Sequence, residues 1–445
     1  MHAVLCGTVG FSMRPPASMM VMMHRFRLAL VVLLTALLLP VAAEAAHKTS
    51  HERRGGKVTK AWPRDKSDRA PDNPLAAWLA RQVGPVRTTA KRSRTKRAHA
   101  AAAPNGGGLA LVRSFDIPTS DPAYDRLANL SWTYDNALAA LAFIDLGYRS
   151  QAEQLLDQLK ALQRKDGSLA FSYDVKTGAG SGQVRSNALA WVGIAAVAYR
   201  ATYGNGRYDV LAGGLADYLL KSRRTDGLVL GGPDVQWVST QHNLLMSEFF
   251  RSAWRTYGNK TLSQGISGTQ LNAAYNQAAN AILAKLLVQA GPQAYFVQGL
   301  DDARLALDTQ TLGSVFLSVR GDGRAGQVAS WFAANLYQPP RTVDGIVWSG
   351  YKPFAGANAP NIIWSEGTVQ ADWAIHRVGL TSAYAAADTA VQGILATTDG
   401  GTVGPLGASS AFSDRAWGDF PSWRTSAAGS WLLIQAAGGD ALFAS

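Results

Sequence analysis

Glu366 lies in residues 361–379, NIIWSEGTVQADWAIHRVG, where a loop passes into an amphipathic helix and a tryptophan comes just before the acid. A carboxylate in a first helical turn meets free N–H groups and the positive end of the helix. An apolar neighbour such as Trp364 raises a carboxyl pKa, which is what a proton donor needs near neutral pH. Asp135 in SWTYDNAL and Asp308 in LDTQTL stand at comparable loop-to-helix junctions. Hydrolysing a glycosidic bond takes two carboxyls. One stays protonated to serve the leaving oxygen; the other is ionised to activate water or attack carbon. The reading is Glu366 as acid and Asp135 as base, with Asp308 second and Asp234, in the loop 231–237, third. For each aspartate a plain helix-capping role is the competing explanation.

Around these acids stand residues suited to holding a sugar. Trp132, Tyr134, Trp237, Trp348, Trp364, Trp417 and Trp423 fall in loops or at helix starts, where flat faces can stack on pyranose rings. Trp191, Trp254, Trp331 and Trp431 fall mid-helix and read as core. Arg185, Asn187, Gln310 and Gln370 can hydrogen-bond hydroxyls, Arg185 can hold a uronate, and Gln241 and His242 stand at a further junction, STQHN. Asp372 and His376, four apart on one helix, read as a local pair. With no two-histidine motif, acidic calcium loop, P-loop or dinucleotide fingerprint, neither a metal nor a cofactor is expected.

The elements that must position these residues are helices in pairs. An apolar stretch at 131–147 is followed by an amphipathic one at 149–164, whose Leu155, Leu159 and Leu162 share one face. The alternation continues through 185–203 with 208–224, 240–257 with 271–288, 307–319 with 325–337, and 364–378 with 382–397. A last apolar helix, 423–437, has no partner after it. The markers Asp135, Arg185, Gln241, Asp308, Glu366 and Arg424 recur at steps of 50, 56, 67, 58 and 58 residues. Such a period marks a helical-hairpin repeat. Buried helices alternating with half-wet ones predict two concentric layers, an all-α (alpha/alpha)6 toroid, with an open solenoid as the alternative.

This chain resembles the six-hairpin glycosidase superfamily over residues 131–443. The likeness is carried by WTYDNA (132–137), FSYD (171–174) with the Asp-Gly turns, STQHN (239–243), LDTQT (307–311) and WSEGT (364–368). The resemblance implies glycan chemistry in a groove lined by the N-terminal ends of the inner helices. Ser365-Glu366-Gly367 also resembles the acid-bearing tripeptide of glycoside hydrolase family 8, but it falls in the fifth hairpin and that assignment is not transferred. Position 241 is often glutamate in the related pattern; Gln241 departs from it, which weakens a site relying on that acid.

Three functions from different classes follow. The leading one is a glycoside hydrolase acting on an oligosaccharide or exopolysaccharide. The second is a polysaccharide lyase or sugar epimerase with a base such as Tyr134 or His242 beside Arg185. The third is a glycan-binding or scaffold protein that has lost the chemistry.

The N-terminal portion differs in kind. Residues 23–46 carry Arg25 and Arg27, an apolar run at 28–39 and Ala43-Glu44-Ala45, the layout of a signal peptide cut near Ala45, with residues before Met19 an over-extended start. A secreted or periplasmic protein is expected, and its only cysteine, Cys6, would be lost with the signal. Residues 47–104 hold 15 Lys and Arg against 4 Asp and Glu and read as a disordered basic linker, within which a short apolar patch, 75–83, is expected to form one helical turn or two. Residues 105–445 hold 25 against 26, so the whole-chain charge of +12 belongs to the tail and argues against a nucleic-acid reading of the domain. The linker suits an anionic envelope polymer or a membrane surface. The partner of the domain itself is a carbohydrate, and a monomer is expected.

Overall fold

The computed structural model describes residues 66, 69–85, 108–356, 358–414 and 418–439; the expected signal peptide and most of the basic linker lie outside them. Among the described residues no helix is long and apolar enough to cross a membrane. Six helices form an inner ring: α2 (Thr133–Asp145), α4 (Ser186–Tyr203), α6 (Thr240–Tyr257), α8 (Leu307–Val319), α10 (Ser365–Val378) and α12 (Ser426–Ala436). The outer helices are α1 (Pro74–Arg81), α3 (Arg149–Leu162), α5 (Asp209–Lys221), α7 (Gly268–Lys285), α9 (Ala325–Leu336) and α11 (Tyr384–Leu395). From α2 to α12 the helices start and stop within three residues of the positions expected from periodicity.

Composition explains the layering. In α4 every residue from Ala188 to Tyr199 is buried, because alanine, glycine and aliphatic side chains leave no polar face. In α3 only Ala152, Leu155, Leu156 and Leu159 are buried, a single stripe. Each inner helix packs on the next, and α12 packs back on α2, so the ring closes.

The first backbone N–H of every inner helix donates to a carbonyl in the segment leading to the next inner helix. The acceptors are Phe171, Gly231, Gln298, Pro353 and Gly407, and the sixth bond, from Ser426, returns to Ser114; all six span 2.8 to 3.0 Å. These donors have no partner within their own helix, so the ring satisfies them by circular pairing. That rules out the open solenoid.

The sixth hairpin corrects the linker reading. α12 lacks a following partner because its outer helix is α1, from the other end of the chain. Asn73 caps α1 by accepting from the Ala76 N–H at 3.0 Å, and Pro74 occupies its first turn. Leu75, Ala76, Trp78 and Leu79 are buried. Trp78 fits only because Gly404 is small: a Cβ there would lie 2.2 Å from the indole. Residues 74–81 therefore belong to the toroid, not to a disordered tail.

Candidate active site

Helix geometry sorts the first turn of the inner ring. At position 1, the hydroxyls of Thr133, Ser186, Thr240 and Ser426 donate to the carbonyls of Ala170, Leu230, Val297 and Arg113 at 2.5 to 2.8 Å. At position 4, polar side chains clamp incoming backbone. Asn136 accepts from the Val112 N–H at 2.8 Å, Asn243 from Val229 at 2.7 Å, Gln310 from Phe296 at 2.8 Å, and Thr368 from Tyr351 at 3.0 Å. Position 2 is Tyr134, Asn187, Gln241, Asp308, Glu366 and Ala427; all but the last are partly exposed. Position 3, a further 100° round the helix, is buried in all six.

The position 2 side chains meet one another across the ring. Glu366 Oε1 accepts from the Tyr134 hydroxyl at 2.5 Å and from Gln370 Nε2 at 3.1 Å. Asp308 Oδ2 accepts from Gln241 Nε2 at 2.6 Å, and Gln241 Oε1 accepts from Asn187 Nδ2 at 3.4 Å. One turn deeper, at position 6, Leu138, Trp191, Leu245, Leu312, Gln370 and Trp431 are all buried and form the floor. Two of its members bond to position 2 side chains: Gln370 reaches Glu366, and Trp431 Nε1 donates to the Tyr134 oxygen at 3.0 Å.

Burial pushes the Glu366 pKa up to about 8; the charges of Asp135 and Asp308 add to this, while donation from Tyr134 and Gln370 opposes it. Burial also raises Asp308, to about 6, against stabilisation by the Thr309 N–H, 2.7 Å from Oδ1. The Tyr134 hydroxyl is driven well above its ordinary value by burial and then by Glu366, so it stays neutral and donates. Burial thus favours the protonated form more strongly at Glu366 than at Asp308, the direction that acid and base roles need.

Several expected site residues are corrected by this register. Asp135 is at position 3 and is 1% exposed, which takes it out of reach of a substrate and so out of the base position; burial raises it to about 7, and its charge adds to the rise at Glu366. His242 is also at position 3, buried against the Ser186 hydroxyl at 2.8 Å, with burial holding its pKa down to about 3. Gln310 is a backbone clamp, not a sugar ligand. Trp348 is buried in the strand Ile346–Tyr351, and Trp417 lies outside the described residues.

Other expected residues form the rim. Arg185 pairs with Asp234 at 2.7 Å, and Trp237 is exposed beside His242. Trp364 lies over the first turn of α10, where a Cβ on Gly367 would come 2.2 Å from its ring. That steric limit accounts for the glycine in Trp364-Ser365-Glu366-Gly367.

Trp132 and Trp423 line a cavity of about 570 Å³ together with Phe115, Phe412 and Phe420. Phe420 meets Trp364 edge-on at 5.5 Å, and Asp121 accepts from the Trp423 indole at 2.7 Å. Phe115, Asp121, Phe412 and Phe420 were not picked out by sequence. The three phenylalanines arrive through a strand pairing between Phe115 and Thr425 and a hairpin between Phe412–Asp414 and Gly418–Phe420, neither of which has a local signature, and Asp121 comes from the turn that follows Pro118. Trp431 had a signal, since it stands four residues beyond position 2 of α12, as Gln370 does in α10.

No family model matches the sequence, and no curated protein matches it. Solved structures do match in fold. A wild-type glycosidase superposes with a TM-score of 0.52 at 13% identity, covering 76% of this chain and 92% of its own. Cellobiose 2-epimerase from Bacillus thermoamylovorans B4167 gives 0.51 at 12%, covering 75% and 92%. A bacterial glucoamylase complexed with acarbose gives 0.51 at 14%, covering 70% of this chain and 49% of that one. A closed inner ring of six helices backed by six outer ones, matched over nearly the whole length of the first two structures, gives this chain the (alpha/alpha)6 toroid fold.

Proposed function

We propose that the protein is a glycoside hydrolase that cleaves a glycosidic bond in an oligosaccharide or bacterial exopolysaccharide, with Glu366 as acid and Asp308 as the second carboxylate. The observation that carries this reading is the pair of partly exposed carboxyls at position 2 of two inner helices, close enough that Asp308 acts on Glu366, with burial raising Glu366 further than Asp308. Oε1 of Glu366 already accepts two hydrogen bonds, so its proton resides on Oε2. From there it passes to the leaving glycosidic oxygen as the C–O bond breaks. Asp308 takes a proton from the attacking water or bonds to the anomeric carbon. Gln241 holds Asp308 as a neutral amide, where a glutamate would repel it; the departure at 241 thus suits Asp308 as the ionised partner.

A lyase or epimerase reading needs a basic Tyr134 or His242. Tyr134 is held neutral and His242 is sealed in the wall, which favours hydrolysis. The aromatic cavity beside Trp364 supports a sugar-binding surface next to the acid. In the cell, the signal-like segment would deliver the enzyme to the periplasm or exterior, where the basic linker would contact anionic envelope polymer or membrane.

The test is to incubate the purified protein with a panel of neutral and acidic bacterial glycans, following reducing ends and ultraviolet absorbance together. New reducing ends without absorbance are expected. Absorbance would indicate a lyase, interconverted sugars without new ends an epimerase, and binding alone a scaffold.

A further inference from the structure

We infer that Asp372, His376 and Asp388 form a binding site for a zinc-type divalent transition metal, clamping α10 to α11 away from the sugar mouth. Asp372 and His376 lie one turn apart on α10, and Asp388 comes from α11. One ligand atom from each lies within 4.8 Å of the others.

The independent observation is the state of Asp372. Its side chain is 0% exposed, and although Oδ2 accepts from Gln435 at 2.7 Å, Oδ1 has no hydrogen-bond partner. That oxygen faces His376 Nε2 at 3.5 Å. A buried carboxylate oxygen without a donor is costly unless something positive meets it.

The spacing suits a metal. Tetrahedral zinc with oxygen and nitrogen ligands at about 2.0–2.2 Å sets neighbouring ligands about 3.3–3.5 Å apart. Asp372 and His376 already stand at that separation. Asp388 touches the same imidazole nitrogen at 2.8 Å, and its side chain is 58% exposed, so it can swing outward to make room. The ligands are also oriented from behind: Gln435 holds Asp372, and Tyr384 stacks on the His376 ring at 4.2 Å. Two carboxylates around one imidazole carry more negative charge than a single proton offsets, whereas a dication balances both. Only two carboxylates and a nitrogen are offered, too few hard oxygens for calcium or magnesium.

The experiment uses the full chain, stripped with chelator and titrated calorimetrically with zinc, then with magnesium and calcium. Asp388→Asn and His376→Ala, both at partly exposed positions, serve as comparisons. One zinc bound per chain is expected, weakened at least tenfold in each variant, with a Tm rise of about 3 °C in the parent at hundredfold excess over its Kd, falling to about half of that or less in each variant at the same zinc concentration. Zinc binding that is equal in parent and variants would assign the metal to other residues, such as the tail histidines, and overturn the site. No binding in the parent would overturn it outright, leaving a histidine bridging two aspartates.

Discussion

One residue separates Tyr134 from Asp135, Gln241 from His242 and Asp308 from Thr309, yet the members of each pair belong to different parts of the molecule. The first of each pair faces the ring axis and is bonded to a side chain from another inner helix; the second is sealed in the wall. Position 3 carries an acid and a histidine that look as reactive as anything at position 2. Chemical type therefore nominated candidates, and the 100° step of the helix decided among them.

If the two layers differ as described, substitution should separate activity from stability. The largest effect is expected from Asp308→Asn, about a thousandfold loss of kcat, or about 4 kcal/mol of transition-state stabilisation, with Tm unchanged. A comparable loss of Tm would put Asp308 in the wall layer. Gln310→Ala should do the reverse, losing about 2–3 kcal/mol of stability in denaturant unfolding because the buried Phe296 N–H and carbonyl lose their partners. Its folded fraction should turn over normally.

Tyr134→Phe should lose about tenfold in kcat, as the donor that orients Glu366 disappears. Because that donation lowers the Glu366 pKa, the alkaline limb of the pH–rate profile should move to higher pH. The smallest effect is Asp135→Asn. The parent should be most active near pH 7, losing rate below about 6 as Asp308 protonates and above about 8 as Glu366 ionises. Removing the Asp135 charge lowers the Glu366 pKa, so the alkaline limb should shift acidward by under about one unit, with the acid limb unmoved. Near-complete inactivation by Asp135→Asn would restore it as the base.

Much of the fold was legible because inner and outer helices bury different fractions of their surface, and periodicity reports burial directly. The partner of α12 was not, since α1 lies more than 300 residues earlier and only ring closure brings the two together. The markers Asp135, Arg185 and Arg424 stood one, two and three residues out of register with position 2, at Tyr134, Asn187 and Ala427. Helix starts are set by the circular N–H bonds, which depend on segments in the next repeat. For the same reason Asp388 could not be joined to Asp372 and His376 from sequence, nor Phe420 to Trp364. Polar side chains at the starts of apolar helices drew out Glu366, Asp308, Gln241 and Gln370 together with Gln310, and because Gln310 clamps backbone, residue type alone does not separate position 2 from position 4.

The central claim is that Glu366 delivers a proton to the leaving oxygen. Its most direct test compares Glu366→Gln with the parent on two glycosides of the sugar that the glycan panel identifies. One has an ordinary sugar leaving group; the other has a dinitrophenolate, which departs without protonation. The variant should lose about a thousandfold on the first and far less on the second, with its alkaline pH limb abolished. Equal losses on both substrates, or full activity on the first, would contradict it.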